Sequence, residues 1–154
     1  MPILQAVTEI DAPADRVWEI LSDVGNYPRW NPFIRGVSGR LAVGETIEVY
    51  LALAPGRIQK FTPRVTAFQP GREIRWLGRL WQPHVFDGEH RLLIEPLDEA
   101  RVRFTQREVF RGVLVPLLLA AIGKDTQRGF VEMNQALKAE AEGEREPEDW
   151  FRGG

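Results

Sequence analysis

The chain is 154 residues long, 44% hydrophobic and 27% charged, which fits a single globular domain and excludes a disordered or fibrous polypeptide. It contains no cysteine, so disulfide frameworks, thiolate zinc sites and cysteine nucleophiles are excluded, and a cytoplasmic location is the natural expectation. Twenty basic residues against 22 acidic ones give a net charge of −2, and the acids crowd the end from Glu140 onward, leaving too small a basic excess elsewhere for a nucleic-acid footprint.

Met1-Pro2-Ile3-Leu4 is not a basic region followed by an apolar one, so no signal peptide is expected. The N-terminal stretch Ile3 to Ile10 reads as a strand. Pro13, at a first helical position, and Asp15 in the first turn open a helix whose apolar residues Val17, Trp18, Leu21 and Val24 recur at helical spacing, and Gly25 stops it. Residues 26–33 are too rich in Pro and Asn for a strand and read as a short second helix or turn carrying Trp30 and Phe33.

From Leu41 to Phe110 the period changes to two, broken by turn signals at Ala54-Pro55-Gly56, Gln69-Pro70-Gly71, Gln82-Pro83 and Leu97-Asp98-Glu99, which predicts five antiparallel strands. One face carries Ile47, Val49, Leu51, Leu53, Phe61, Val65, Ala67, Ile74, Trp76, Leu92, Ile94, Val102, Phe104 and Phe110. The other carries mostly charged and hydroxyl residues, Glu73, Arg75 and Arg91 among them, so the sheet has one wet and one covered face. The cover is the last element. Leu118, Ile122, Phe130, Met133, Leu137 and Ala141 form one stripe along a helix from Leu117 to Ala141. A charged tail from Gly143 follows, with Trp150 and Phe151 its apolar exceptions.

Three polar residues interrupt the covered face: His90, Gln106 and Glu108. A hairpin turning at Asp98-Glu99 sets His90 opposite Gln106 or Glu108. One reading is an acid/base or ligand-orienting dyad in an apolar pocket; the other is a pair solvated at the sheet's rim. His84, Asp87, Glu89 and His90 also cluster, but Glu89 and His90 alternate in face and His84 lies beyond an expected bulge at Gly88, so no metal site is expected. Phosphate loops, dinucleotide fingerprints and nucleophile elbows are absent from the sequence, and no cofactor is expected.

Ile10-Asp11-Ala12-Pro13, Val17-Trp18-x-x-Leu21-x-Asp23 and Tyr27-Pro28-x-Trp30-Asn31-Pro32-Phe33, with Gly88-Glu89-His90-Arg91, Glu108-x-Phe110-x-Gly112 and Gly129-Phe130-x-x-Met133-Asn134, give the chain its likeness to a family. It resembles the START-like (SRPBCC) superfamily, and within it the polyketide cyclase/dehydrase and lipid-transport families. The resemblance implies an α+β helix-grip domain over residues 1–142, in which a curved antiparallel sheet wraps a long C-terminal helix around an apolar cavity. A small apolar ligand (polyketide, isoprenoid or lipid) is then expected to meet Trp30, Phe33, Trp76, His90, Leu92, Phe104, Gln106, Glu108, Leu118, Ile122 and Phe130, with Trp81 a further candidate. The alternative is a cyclase/dehydratase in which His90 and Glu108 are catalytic, or a protein-interaction module.

The longest apolar run, Val113 to Ile122, has ten residues and contains Pro116, against the roughly 20 a spanning helix needs. Its consecutive Leu117, Leu118 and Leu119 cannot all face one sheet. The expectation is an apolar lid, hinged at Gly112 and Gly123, able to touch a membrane or second subunit; the alternative is that it is core.

Overall fold

A computed structural model describes residues 2–80 and 82–143. Trp81, and the acidic tail from residue 144 with Trp150 and Phe151, lie outside the described residues. The elements run β1 (Ile3–Ile10), α1 (Ala14–Ser22), a single 3-10 turn at Val24–Asn26, α2 (Tyr27–Trp30), β2 (Ile34–Ser38), β3 (Glu48–Ala54), β4 (Arg57–Phe61), β5 (Arg64–Gln69), β6 (Glu73–Arg79), β7 (Asp87–Pro96), β8 (Val102–Arg111) and α3 (Val115–Gly143).

Pro13 sits one residue earlier than expected, as the cap of α1, where its carbonyl accepts the Arg16 and Val17 amides. Val17, Ile20 and Leu21 bury the inner face of α1, and Trp18 meets Phe68 edge-on. Tyr27 is wholly buried, and its hydroxyl donates to the Leu21 carbonyl. Burial, reinforced by the charge of Asp23, raises its pKa far above the ordinary phenol value, so it stays a neutral donor.

The expectation of five strands between Leu41 and Phe110 is corrected to six, and β2 adds a seventh after α2. β2 escapes the period-two signal because it is launched by a side chain: the Asn31 Oδ1 accepts the Phe33 and Ile34 amides, turning the chain out of α2. The extra division falls at Thr62-Pro63, where proline withholds a ladder donor and the chain passes from β4 to β5. The strands form a five-stranded sheet ordered β1-β8-β7-β6-β5 and a three-stranded sheet ordered β2-β3-β4.

A register shift between Val65 and Ala67 corrects the covered face locally: Ala67 pairs with Arg75, while Phe68 pairs with Ile74 and packs on the core. Glu73, placed on the wet face by alternation, is only 4% exposed because Arg75 and Arg91 close over it. Gly88 is not a bulge; it pairs in regular register with Gly78 on one side and Phe110 on the other.

α3 covers the five-stranded sheet with Phe130, Met133, Leu137 and Ala141 buried, and it also buries Thr126, Gly129 and Asn134. Lys138 donates to the Glu9 carbonyl and Arg29 donates to Glu140, so the C-terminal half is fastened to β1 and α2. The lid expected between Gly112 and Gly123 takes another form. Gly123 lies inside the continuous α3 helix, and Gly112, at φ 136°, packs so tightly that a Cβ would come 2.3 Å from the Val85 carbonyl oxygen. The Val113 and Leu114 amides donate to the His84 and Val85 carbonyls, so the start of α3 is pinned, not hinged. Val115 is buried there, while Val113 and Leu117 are 79% and 68% exposed.

Candidate functional site

β7 and β8 bring the interrupting residues together. Their register pairs His90 with Glu108 and Leu92 with Gln106. The His90 Nδ1 lies 2.9 Å from the Glu108 Oε1, with His90 buried and Glu108 partly exposed. With Glu108 ionised the carboxylate only accepts, so Nδ1 carries the proton, and in the neutral imidazole Nε2 is then the acceptor. That Nε2 is buried and has no hydrogen-bond partner among the described residues.

Three neighbours hold this arrangement. The Trp76 ring stacks on the imidazole at 5.3 Å with the planes 11° apart, and Phe130 meets it edge-on at 5.2 Å. Gly88 leaves the Glu108 carboxylate its place, since a Cβ there would come 2.4 Å from Oε2. The imidazole is thus packed against two rings and oriented by a carboxylate.

Gln106 forms the second polar point and is wholly buried. Its Nε2 donates to the Phe130 carbonyl at 3.4 Å and to the Asn134 Oδ1 at 3.0 Å, and the Asn134 amide in turn donates to Thr8. A main-chain carbonyl only accepts, which fixes the Gln106 amide and leaves its Oε1 buried without a partner among the described residues. His90 and Gln106 therefore each present an unpartnered acceptor on a side chain that touches Phe130. Buried polar atoms are normally satisfied, so two together mark a place suited to a group that donates hydrogen bonds.

Leu92, Phe104, Gln106 and Phe130 are fully buried and Trp76 nearly so. Phe33 meets Phe130 edge-on at 5.5 Å, joining the same ring system. Trp30 instead meets Tyr27 edge-on at 5.3 Å, and Leu118 and Ile122 lie half-buried in the first turns of α3. Two cavities lie among the described residues, and neither is lined by Trp76, Leu92, Phe104, Gln106 or Phe130, the residues expected to line an interior cavity. One of about 440 Å³ lies by Val43, Arg64, Leu77 and Arg79, away from the dyad. The other, about 220 Å³, opens between the β3–β4 turn (Ala52 to Gly56), Pro32 and the α3 residues Asp125, Arg128, Gly129 and Glu132. His84 is exposed at the turn, its amide donating to Asp87, and Asp87 faces Arg79 at 3.7 Å, so these two are engaged apart from His90.

Sequence reasoning missed Asn134, Gly88 and Gly129 as parts of this site. Asn134 had a legible signal, as a polar residue one helical turn after Phe130 within an apolar stripe. The two glycines had none, because what they leave room for is set by other elements.

A family profile described as "Polyketide cyclase / dehydrase and lipid transport" matches residues 1–142. The search of curated proteins found no match. Among solved structures, the chain is similar to the Zhui aromatase/cyclase from Streptomyces sp. R1128, at 23% identity and a TM-score of 0.70, covering 92% of this chain and 93% of that one. It is also similar to a START superfamily protein from Mycobacterium smegmatis, at 22% identity and a TM-score of 0.66 over 91% of this chain and 97% of that one. A third likeness is to the di-domain ARO/CYC BexL from the BE-7585A biosynthetic pathway, at 20% identity and a TM-score of 0.69 over 90% of this chain and 47% of that one. At these identities the likenesses establish the fold, a helix-grip α+β domain.

Proposed function

The chain belongs to the polyketide cyclase / dehydrase and lipid transport family, and we propose that within it this protein binds a small, largely apolar molecule carrying a hydroxyl group, between the five-stranded sheet and α3. The observation that carries this reading is the pair of buried, unpartnered acceptors, His90 Nε2 and Gln106 Oε1, set among apolar and aromatic side chains. A phenolic or enolic O–H supplies the missing donor, and the surrounding rings suit a flat apolar body. Leu92, Phe104 and Phe130 contribute shape; His90 and Gln106 contribute orientation.

The His90–Glu108 geometry favours a second reading, a cyclase or dehydratase. There Nε2 accepts a proton from an acidic C–H or O–H of the substrate and returns it later, while Glu108 stabilises the imidazolium in between. Binding stands first because proton transfer also calls for a group to stabilise the developing oxyanion, and neither His90 Nε2 nor Gln106 Oε1, as acceptors, can donate to one. A cytoplasmic site of action, and transient contact with a membrane or second subunit through residues 113–122, belong to the same proposal; no described helix is long and apolar enough to cross a membrane.

The test is the affinity of 1-naphthol against naphthalene, read by fluorescence or calorimetry. The expected result is tighter binding of 1-naphthol by about tenfold, one well-placed hydrogen bond's worth, with the preference lost in His90→Leu and Gln106→Leu. Equal affinity for the two probes in the unaltered protein would remove the role given to the two acceptors.

A further inference from the structure

His90, Gln106 and Phe130 are buried, yet a chain of ring contacts leads from them to the surface. The inner wall of the 220 Å³ cleft includes Gly129 of α3. The Phe33 ring fills the space beside Gly129: a Cβ there would come 2.2 Å from the Phe33 Cδ1. Phe33 rests on Phe130 at 5.5 Å, and Phe130 rests on His90 at 5.2 Å. Cleft, Phe33, Phe130 and the unpartnered His90 Nε2 therefore lie in series.

Building on the hydroxyl-binding reading, we infer that Phe33 and Phe130 are a two-ring gate, and that a hydroxylated aromatic ligand reaches His90 and Gln106 through the cleft between the β3–β4 turn and the middle of α3. The two contacts are edge-to-face, and each ring has two side-chain torsions about which to swing. Gly129 gives Phe33 its parking place. Beside it, Phe130 packs against His90, so the closed state keeps the two acceptors away from water until a better partner displaces the ring.

The rim agrees in character. Pro32, Ala52, Leu53, Ala54 and Pro55 give the cleft an apolar side, and Asp125, Arg128 and Glu132 a charged one. Asp125 and Arg128 are paired with each other, so neither competes for the hydroxyl on its way in. This orientation lets an apolar ring slide along the turn while its polar edge stays near the helix.

The probe is 1-naphthol, and the measurement is its association rate by stopped-flow fluorescence, with circular dichroism confirming that each variant is folded. Phe130→Leu removes the inner ring and is expected to raise the association rate about tenfold or more; Phe33→Leu is expected to raise it less. Ala54→Trp, on the partly exposed turn, crowds the cleft and is expected to slow association about tenfold while leaving the His90 site untouched. Association rates unchanged in Phe130→Leu and Ala54→Trp, with 1-naphthol still sensitive to His90→Leu, would overturn the gate and leave the binding reading standing. Absence of 1-naphthol binding in the unaltered protein and in the open Phe130→Leu variant alike would overturn both.

Discussion

His90 and Arg91 are neighbours on β7 that begin two quite different polar clusters. Arg91 joins Arg75 in donating to Glu73, whose carboxylate is buried with both oxygens engaged. His90 and Gln106, on the other face, are just as buried but each keeps an unpartnered acceptor. A closed network needs nothing from outside the chain and reads as structural, whereas an open one bears a desolvation cost that only a ligand or water removes. Burial alone would not have told the two apart; hydrogen-bond satisfaction does.

The closed cluster is where the largest loss of stability is expected. Glu73→Ala leaves Arg75 and Arg91 facing one another without their shared anion, and should cost about 2 kcal/mol in urea unfolding. That is less than the roughly 3–5 kcal/mol of a fully buried pair, because both guanidiniums are about one-third exposed and water screens them. A cost under about 0.5 kcal/mol would mean the outer cluster contributes no more than an ordinary surface pair, and the contrast drawn here would fail.

The open cluster should behave in the opposite way. His90→Leu removes an unpartnered buried nitrogen and fills the slot between Trp76 and Phe130 with apolar volume, so the loss should stay within about 1 kcal/mol even though Glu108 loses its partner. Glu108 is partly exposed and water can take over that role. A loss of about 3 kcal/mol or more would assign His90 a structural role, like that of Glu73, and weaken its assignment to a ligand.

The contrast also explains what was legible in the sequence. The two periodicities carried the sheet and α3, and the parity of β7 and β8 left His90 opposite Gln106 or Glu108, of which the register selects Glu108. Where a side chain or a bulge intervened, parity failed: Asn31 launches β2, and the shift near Thr66 brings Phe68 inward in place of Ala67. Glu73 was misplaced for a related reason, since alternation tells which face a residue takes but not what closes over it. The closed interior was not legible at all. Whether Phe33 and Phe130 fill the space beneath the sheet depends on Gly129 and on the path of α2, which no local pattern encodes.

The finest test of the comparison is Gly88→Ala, because it acts on Glu108 without removing any polar group. The new Cβ would fall 2.4 Å from the Glu108 Oε2, so the carboxylate must swing away, which a partly exposed side-chain end does at a cost of about 1 kcal/mol or less. Gly78→Ala is the matched control: Gly78 is the direct partner of Gly88 across β6 and β7, and its nearest neighbours would be 3.9 Å from an added Cβ. If Glu108 fixes the proton on Nδ1, the ¹⁵N spectrum of the His90 ring should show that tautomer in the unaltered protein and in Gly78→Ala, and a mixture of tautomers in Gly88→Ala. The 1-naphthol preference should fall with it, since a proton moved to Nε2 turns the acceptor into a donor. An unchanged tautomer in Gly88→Ala would mean that Trp76 and Phe130 orient His90 without help from Glu108, and the pair would then be a neighbourhood and not a dyad.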